Sequence, residues 1–372
     1  MKKKAVALTV IILLLFPSVL TSTNVKAEED SWATLAPMLT PRASLDAVVV
    51  DGKIYAIGGT SNANEEYDPS TNTWSTKTPV PTGRSKLATV TFQNKIYAIG
   101  GYDNEHAGTP TSKNEVYDPA TDTWVTKAEM PTARGSMCAN TVNGQIYVMG
   151  GLEMTRPLYV EESNKTEVYD PTNNTWTVKA EMPHAAVEPS SSVVVGDLIY
   201  VLTSPIQIYD TKTDSWSLGS SPPKIQSGAD SVTVLDKQGR ELIYIIGGED
   251  PSEPLSFFDL VQIYNPQNDV WDVGESMPTP RVALAVVVFN NQIYALGGVT
   301  YGEYLGDRLS TNERYTPEFG SMLPTPTSSP EPASTPYSEP QIIDQEALFG
   351  VAVTIAILGA GLGLLVYLIK RK

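Results

Sequence analysis

Ile-Tyr recurs in register at Ile54-Tyr55, Ile96-Tyr97, Ile146-Tyr147, Ile199-Tyr200, Ile243-Tyr244 and Ile293-Tyr294. In five of these units two glycines follow: Gly58-Gly59, Gly100-Gly101, Gly150-Gly151, Gly247-Gly248 and Gly297-Gly298; the fourth unit has Thr203-Ser204 there. Downstream come a tyrosine and, seven residues later, a tryptophan: Tyr67 to Trp74, Tyr117 to Trp124, Tyr169 to Trp176, Tyr209 to Trp216 and Tyr264 to Trp271. Fixed spacing between loops of unequal length is the mark of a repeat, each copy being one supersecondary unit that buries its faces only against its neighbours.

Each unit reads as four short strands. The first is apolar, as in 43–50 or 282–289, and ends in a tight turn such as Asp51-Gly52, Asn143-Gly144, Gly196-Asp197 or Asn290-Asn291. Those residues accept the positive φ of a two-residue hairpin. The second strand carries Ile-Tyr and ends at the glycines. The third holds the tyrosine, as in Glu115-Val116-Tyr117, and an Asp-Pro turn leads to a fourth strand at the tryptophan. Glycines where strands converge leave room for the neighbouring unit, and Tyr and Trp supply broad apolar faces between units.

The paired Gly, the Tyr and the Trp, repeated over about Ser31 to Pro317, resemble the kelch repeat. The expected fold is therefore all-β: a six-bladed kelch β-propeller. The sixth unit has Tyr315 but Met322 where its tryptophan is due, and Trp32 is spare at the other end. Ten residues after each tryptophan stand Arg42, Arg84, Arg134, Ala186, Gln226 and Arg281, and Trp32 obeys the same count as the rest. The segment 31–35 is thus expected to be the outer strand of the last blade. Closing the ring with a strand from the other terminus pairs edges otherwise exposed.

The loops entering each innermost strand and those following the glycine pairs should share one face. The second set is long and unlike from blade to blade: 102–114, 152–166, 249–260 and 299–311. Such loops on a regular scaffold are where specificity resides. The first set carries Arg42, Arg84, Arg134 and Arg281, for which two roles stand open. One is an arginine-lined mouth gripping carboxylates of a ligand, which the kelch resemblance implies. The other is structural, with Glu66, Glu115, Glu167 and Glu313 as partners. Two acceptor sequons, at Asn164 and Asn173, are candidate glycosylation sites.

Catalytic chemistry is thinly represented. His106 and His184 are the only histidines and Cys138 the only cysteine, so neither a disulfide nor a His/Cys metal centre is expected. No cofactor is expected. Cys138, in an apolar strand, reads as buried filler rather than a reactive thiol.

The two ends read as targeting and anchoring segments. Lys2, Lys3 and Lys4, an apolar run and a site after Ala27 give a signal peptide over 1–27. The propeller is placed at 28–317 and a Pro/Ser/Thr-rich stalk at 318–345, too poor in apolar residues to fold. A transmembrane helix is placed at 346–369. Its apolar run, Ala347 to Ile369, has 23 residues, and at about 1.5 Å per residue it crosses a bilayer core of about 30 Å. The basic tail 370–372 marks the cytoplasmic side and puts the body outside. Residues 28–345 hold 19 basic and 41 acidic side chains, a net of −22, which argues against a nucleic-acid or anionic-lipid surface. These features point to a cell-surface module that binds a glycan or a protein and is joined to the membrane by its C-terminal helix. An extracellular sugar-acid mutarotase and a structural envelope protein are the alternatives.

Overall fold

Alternation of apolar and polar residues makes each repeat a ribbon of half-buried strands, and the structure shows how the ribbons stack. The computed structural model describes residues 30–104, 108–156, 159–186, 191–253, 256–301 and 307–317. The expected signal peptide, stalk, apolar span and basic tail lie outside these residues, as does His106. Among the described residues no helix is long and apolar enough to cross a membrane.

The described residues form six four-stranded antiparallel sheets, one per repeat. Blade 1 runs Leu45–Val50, Lys53–Gly58, Asn64–Asp68 and Thr73–Thr76, from innermost to outermost strand. The next four blades have innermost strands Ala88–Phe92, Cys138–Val142, Ser192–Val195 and Asp230–Leu235. Blade 6 runs Ala285–Phe289, Gln292–Leu296 and Asn312–Thr316, and its outermost strand is Ser31–Thr34 from the other end of the chain. Each innermost strand touches the next, and that of blade 6 touches that of blade 1, so the ring is closed.

The closure repeats a pattern found in every blade. Trp32 lies opposite Tyr315, as Trp74 lies opposite Tyr67. In blades 1 to 5 the tyrosine hydroxyl donates to a turn residue five positions on: Asn72, Asp122, Asn174, Asp214 or Asp269. In blade 6 that acceptor is Asp30, which holds the same left-handed backbone, φ 56° against 54° at Asn72. Each tryptophan Nε1 donates into the preceding blade, as from Trp74 to Ala36 O at 2.8 Å and from Trp32 to Glu275 O at 2.9 Å. The N-terminal segment therefore supplies the last blade with its turn residue, its outer strand and its indole.

Between blades, buried Ile, Val, Tyr and Met side chains form the core. One such layer joins Val48, Tyr55 and Ile57 of blade 1 to Leu87, Ile96 and Tyr117 of blade 2. Burying one such side chain stabilises the fold by about 1.5–3 kcal/mol. The glycine pairs sit where blades meet most closely. A Cβ on Gly58 would lie 2.7 Å from Arg84 O, and φ is +66° there, so any side chain would be strained as well as crowded. The expected hairpin turns are present, with Asn290 and Asn291 at φ 50° and 59°.

Candidate functional site

Two loop sets meet on one face, as expected. The short strand Arg84–Ser85, entering blade 2, pairs with Tyr102–Asp103 from the loop after that blade's glycine pair. In blade 3, Arg134–Gly135 pairs with Leu152–Arg156, which pairs in turn with Tyr159–Glu162. In blade 6, Val282 bridges to Val299, and Val299–Thr300 pairs with Asp307–Arg308. These hairpins expose Met154, Tyr159, Val160 and, at 72 %, Tyr301.

The four arginines are brought to this end of the ring but turned inward. Arg42, Arg84, Arg134 and Arg281 are each 0 % exposed. Arg84 donates to Gly100 O at 2.8 Å, Lys113 O at 3.2 Å and Ala98 O at 3.2 Å, and to Glu115 at 2.8 Å. Arg134 repeats this on Gly150 O, Lys165 O and Glu167. Arg281 reaches Ala295 O and Glu313, and Arg42 reaches Ala56 O, Gly58 O, Ala63 O and Glu65. Burial lowers each guanidinium's pKa, while the adjoining carboxylate raises it. The geometry is that of corner braces, each tying the end of the second strand to the start of the third. It is not that of donors lining a mouth.

One partner differs from expectation. Arg42 pairs with Glu65 at 3.1 Å, not with Glu66. Side chains alternate along a strand, so a one-residue shift moves a carboxylate to the opposite face. Glu66 accepts from the Tyr55 hydroxyl at 2.5 Å and pairs with Lys77 at 3.2 Å. The position equivalent to Glu115, Glu167 and Glu313 lies two residues before the third-strand tyrosine, and Glu65 occupies it. The repeat itself carried the signal. Where the arginine is replaced by Ala186 or Gln226, the glutamate is also replaced, by Gln207 or Gln262.

Sequence reasoning missed the centre of the ring. A cavity of about 440 Å³ is lined by all six blades at the start of their innermost strands. Backbone hydrogen bonds run along its wall from blade 5 through blades 6, 1 and 2 to blade 3: Ala283 N to Gly228 O, Ser44 N to Ala283 O, Lys86 N to Ser44 O and Ser136 N to Lys86 O. Two carboxylates stand in its wall. Asp46 accepts from Ala47 N at 2.7 Å and from Thr89 N of blade 2 at 2.5 Å. Asp230 accepts from Ser231 N at 2.7 Å and from Val286 N of blade 6 at 2.6 Å. Burial, against these hydrogen bonds, raises Asp46 to about 6; burial and the charge of Asp46 raise Asp230 to about 7. Lys86 and Glu249 also line the cavity, and burial lowers the Lys86 ammonium while Glu249 opposes the shift. The sequence signal was an aspartate inside an apolar run, Leu45-Asp46-Ala47-Val48, since a charged residue is rarely placed there without a reason.

Cys138 also lines the cavity, and burial pushes its thiol up to about 11, which keeps it unreactive at neutral pH. His184 is exposed. Among the described residues no group of three or more His, Cys, Asp and Glu side chains is placed to hold a metal ion. Asn173 lies exposed in the outer turn of blade 3. Asn164 is half-buried, and Thr166 of its sequon is fully buried.

A closed ring of six four-stranded blades, braced at its corners by Arg–Glu pairs and topped by unequal loops, defines a kelch-type propeller. The family models agree: "FKB95, Kelch-repeats domain" matches residues 76–237, and "Kelch motif" matches 41–81, 239–278 and 280–321. The chain belongs to the kelch-repeat family. It is 30 % identical to Kelch-like protein 35 of Mus musculus over 141 residues, 36 % of this chain and 22 % of that protein. It is 26 % identical to Kelch-like protein 23 of Homo sapiens over 167 residues, 42 % of this chain and 27 % of that protein. The chain thus spans about a quarter of the length of these relatives. The solved structure of YjhT superposes with a TM-score of 0.64 at 16 % identity, over 75 % of this chain and 95 % of that one, a likeness of fold. Propellers of this kind are typically protein-interaction modules.

Proposed function

We propose that this chain is a recognition module displayed outside a membrane, held there by its C-terminal span and stalk, and that it binds a protein or glycan through its loop face. The observation that carries this reading is the contrast on that face. The four arginines are buried as braces, while the hairpins of the same face expose Met154, Tyr159, Val160 and Tyr301. Exposed aromatic and apolar side chains on irregular loops are what a partner surface buries on binding. Residues 28–345 carry a net charge of −22, which disfavours nucleic acid and anionic lipid as the partner.

The test is binding of the full chain to immobilised surface glycans and to candidate extracellular proteins, with a Met154→Ser/Tyr159→Ser/Val160→Ser variant alongside. Binding that the triple variant loses supports the reading. Silence across both panels, or binding indifferent to the hairpin, counts against it.

Asp46 and Asp230 favour a second reading, that of an enzyme acting on sugar acids. A carboxyl group that titrates near neutrality is suited to general acid–base work, and Lys86 adds a cation in the same cavity. The guanidinium clamp such an enzyme would use is taken up by the braces, so binding remains the leading reading. Proton-exchange NMR on sialic and uronic acid anomers, with and without the chain, separates the two.

A further inference from the structure

Comparing the blades with one another locates a second site. Blades 1, 2, 3 and 6 fill the corner between second and third strands with an arginine and a glutamate. Blades 4 and 5 are adjacent and do not: Ala186 and Gln226 replace the arginines, Gln207 and Gln262 the glutamates. A cavity of about 300 Å³ opens at this junction, and all of Ala186, Gln226 and Gln262 line it. That volume lies at the lower end of small-ligand sites.

The polar demands of the vacated corner are already met. In blade 4 the Thr203 hydroxyl donates to Pro205 O at 2.6 Å, and Thr203 N donates to Val201 O at 2.9 Å. Those carbonyls correspond to Ala63 O and Ala56 O, which Arg42 satisfies in blade 1. Gln207 clasps the backbone of His184, and Gln262 clasps that of Lys224 in the same way. Gln226 donates to Gly247 O at 2.6 Å and Leu260 O at 3.3 Å, the carbonyls an arginine would take. The hydrogen bonds have been replaced but the volume has not. What remains is a pocket whose apolar wall is Leu202, Ile206, Ile245, Pro222 and Trp271 and whose polar wall, Thr203, Gln226 and Gln262, carries no charge.

Its rim is not neutral. Glu162, at the end of the blade 3 hairpin, is exposed there, while Lys224 is held by Asp250 at 3.0 Å. A charged group entering the pocket would lose water and find no counter-charge at its floor. A basic group beside the opening would meet Glu162 on an acidic body.

We propose that this cavity binds an uncharged apolar side chain, branched aliphatic or aromatic, presented by a peptide segment of a partner protein with a basic residue next to it. The proposal rests on the reading of the loop face as a recognition surface and adds a subsite and a ligand class to it.

The test uses the full chain labelled with ¹⁵N at tryptophan, the Trp271 indole signal being assigned with Trp271→Phe. Acetyl-Leu-Lys-amide, acetyl-Leu-Glu-amide and a methyl glycoside are added at millimolar concentration. The Leu-Lys probe should shift the Trp271 signal, the Leu-Glu probe should shift it less, and the glycoside should leave it unmoved. Ala186→Arg/Gln207→Glu restores the brace of the other blades; it should abolish the shift and leave the remaining indole signals in place. Glu162→Lys, a substitution at an exposed position outside the core, should reverse the preference between the two peptide probes. Absence of any shift, an equal shift in the Ala186→Arg/Gln207→Glu chain, an unreversed preference, or a response to the glycoside alone overturns the proposal. Hairpin-dependent partner binding that persists in such an outcome would leave the broader reading intact.

Discussion

A guanidinium removed from water is costly unless its charge is paired and its donors are placed, and here four are fully buried. Their hydrogen bonds to strand-end carbonyls explain why they are kept: each adds side-chain ties across a corner that one backbone bond, such as Gly100 N to Lys113 O, also spans. Removing one partner leaves an uncompensated charge, so Glu65→Leu should cost about 3–5 kcal/mol. Glu66→Leu, one residue away on the opposite face and part-exposed, gives up the Tyr55 and Lys77 contacts but strands no buried guanidinium, so it should cost less than Glu65→Leu. Urea denaturation of both variants checks this, and equal costs would refute the assignment of Glu65. Blade 5 shows the neutral alternative, Gln226 with Gln262, so Arg134→Gln/Glu167→Gln should recover most of what Glu167→Leu loses. The pairing of arginine with glutamate was legible in the sequence as a kind of contact. Which glutamate pairs with Arg42 was not, because two acidic residues stand side by side at Glu65 and Glu66, and only the strand register decides which faces inward.

Strands of neighbouring blades are tied near the axis by single carboxylates, Asp46 to Thr89 N and Asp230 to Val286 N. Both carboxyls titrate well above an ordinary aspartate, at about 6 and about 7, so the folded chain holds protons that the unfolded chain releases. Their contribution to stability is therefore largest in acid. It declines as pH rises from about 4 towards 7 and is flat above that. Asp230→Asn keeps an acceptor for Val286 N and removes the charge. It should leave stability nearly unchanged at pH 4 and raise it at pH 8 by on the order of 1 kcal/mol, allowing for solvent in the cavity. Urea midpoints at the two pH values check this, and parallel pH profiles for the two chains would refute it. The equivalent strand position holds Ala88 in blade 2, Cys138 in blade 3 and Ala285 in blade 6. A search for what repeats finds the scaffold and passes over Asp46 and Asp230, because a site on a symmetric ring is made by the residues that break the symmetry. The interruption at Ala186 and Gln226 was visible in the sequence as a break in the arginine ring. Its consequence, a cavity, depends on side-chain volumes that spacing alone does not report.

At the scale of the whole chain, the ring was legible because a missing tryptophan at one end and a spare one at the other define a single closure. Asp30, Trp32 and the strand Ser31–Thr34 give blade 6 what the other blades draw from their own repeats. Trp32→Ala should therefore cost about 3–5 kcal/mol, as Trp271→Ala should, although Trp32 is far in sequence from the rest of its blade. Thermal unfolding of the two variants checks this; a near-silent Trp32→Ala would mean that the ring does not need its closing strand. The same closure fixes how the chain can be held. Both ends of the described body, at Asp30 and Pro317, belong to blade 6, because Thr316 pairs with Ser31. A C-terminal anchor of the kind proposed would then act on the doubly secured blade rather than on a loose edge. On the proposed topology, the stretch from 318 to 345 is the accessible connection between body and membrane, rich in proline and poor in apolar residues. Protease added to intact cells should release a fragment spanning the six blades that still unfolds cooperatively, while the short hairpin loops resist cleavage longer than the stalk. Retention of the whole body on protease-treated cells would overturn the outside orientation. Release of fragments smaller than the ring would instead place the weakest backbone in the loop face.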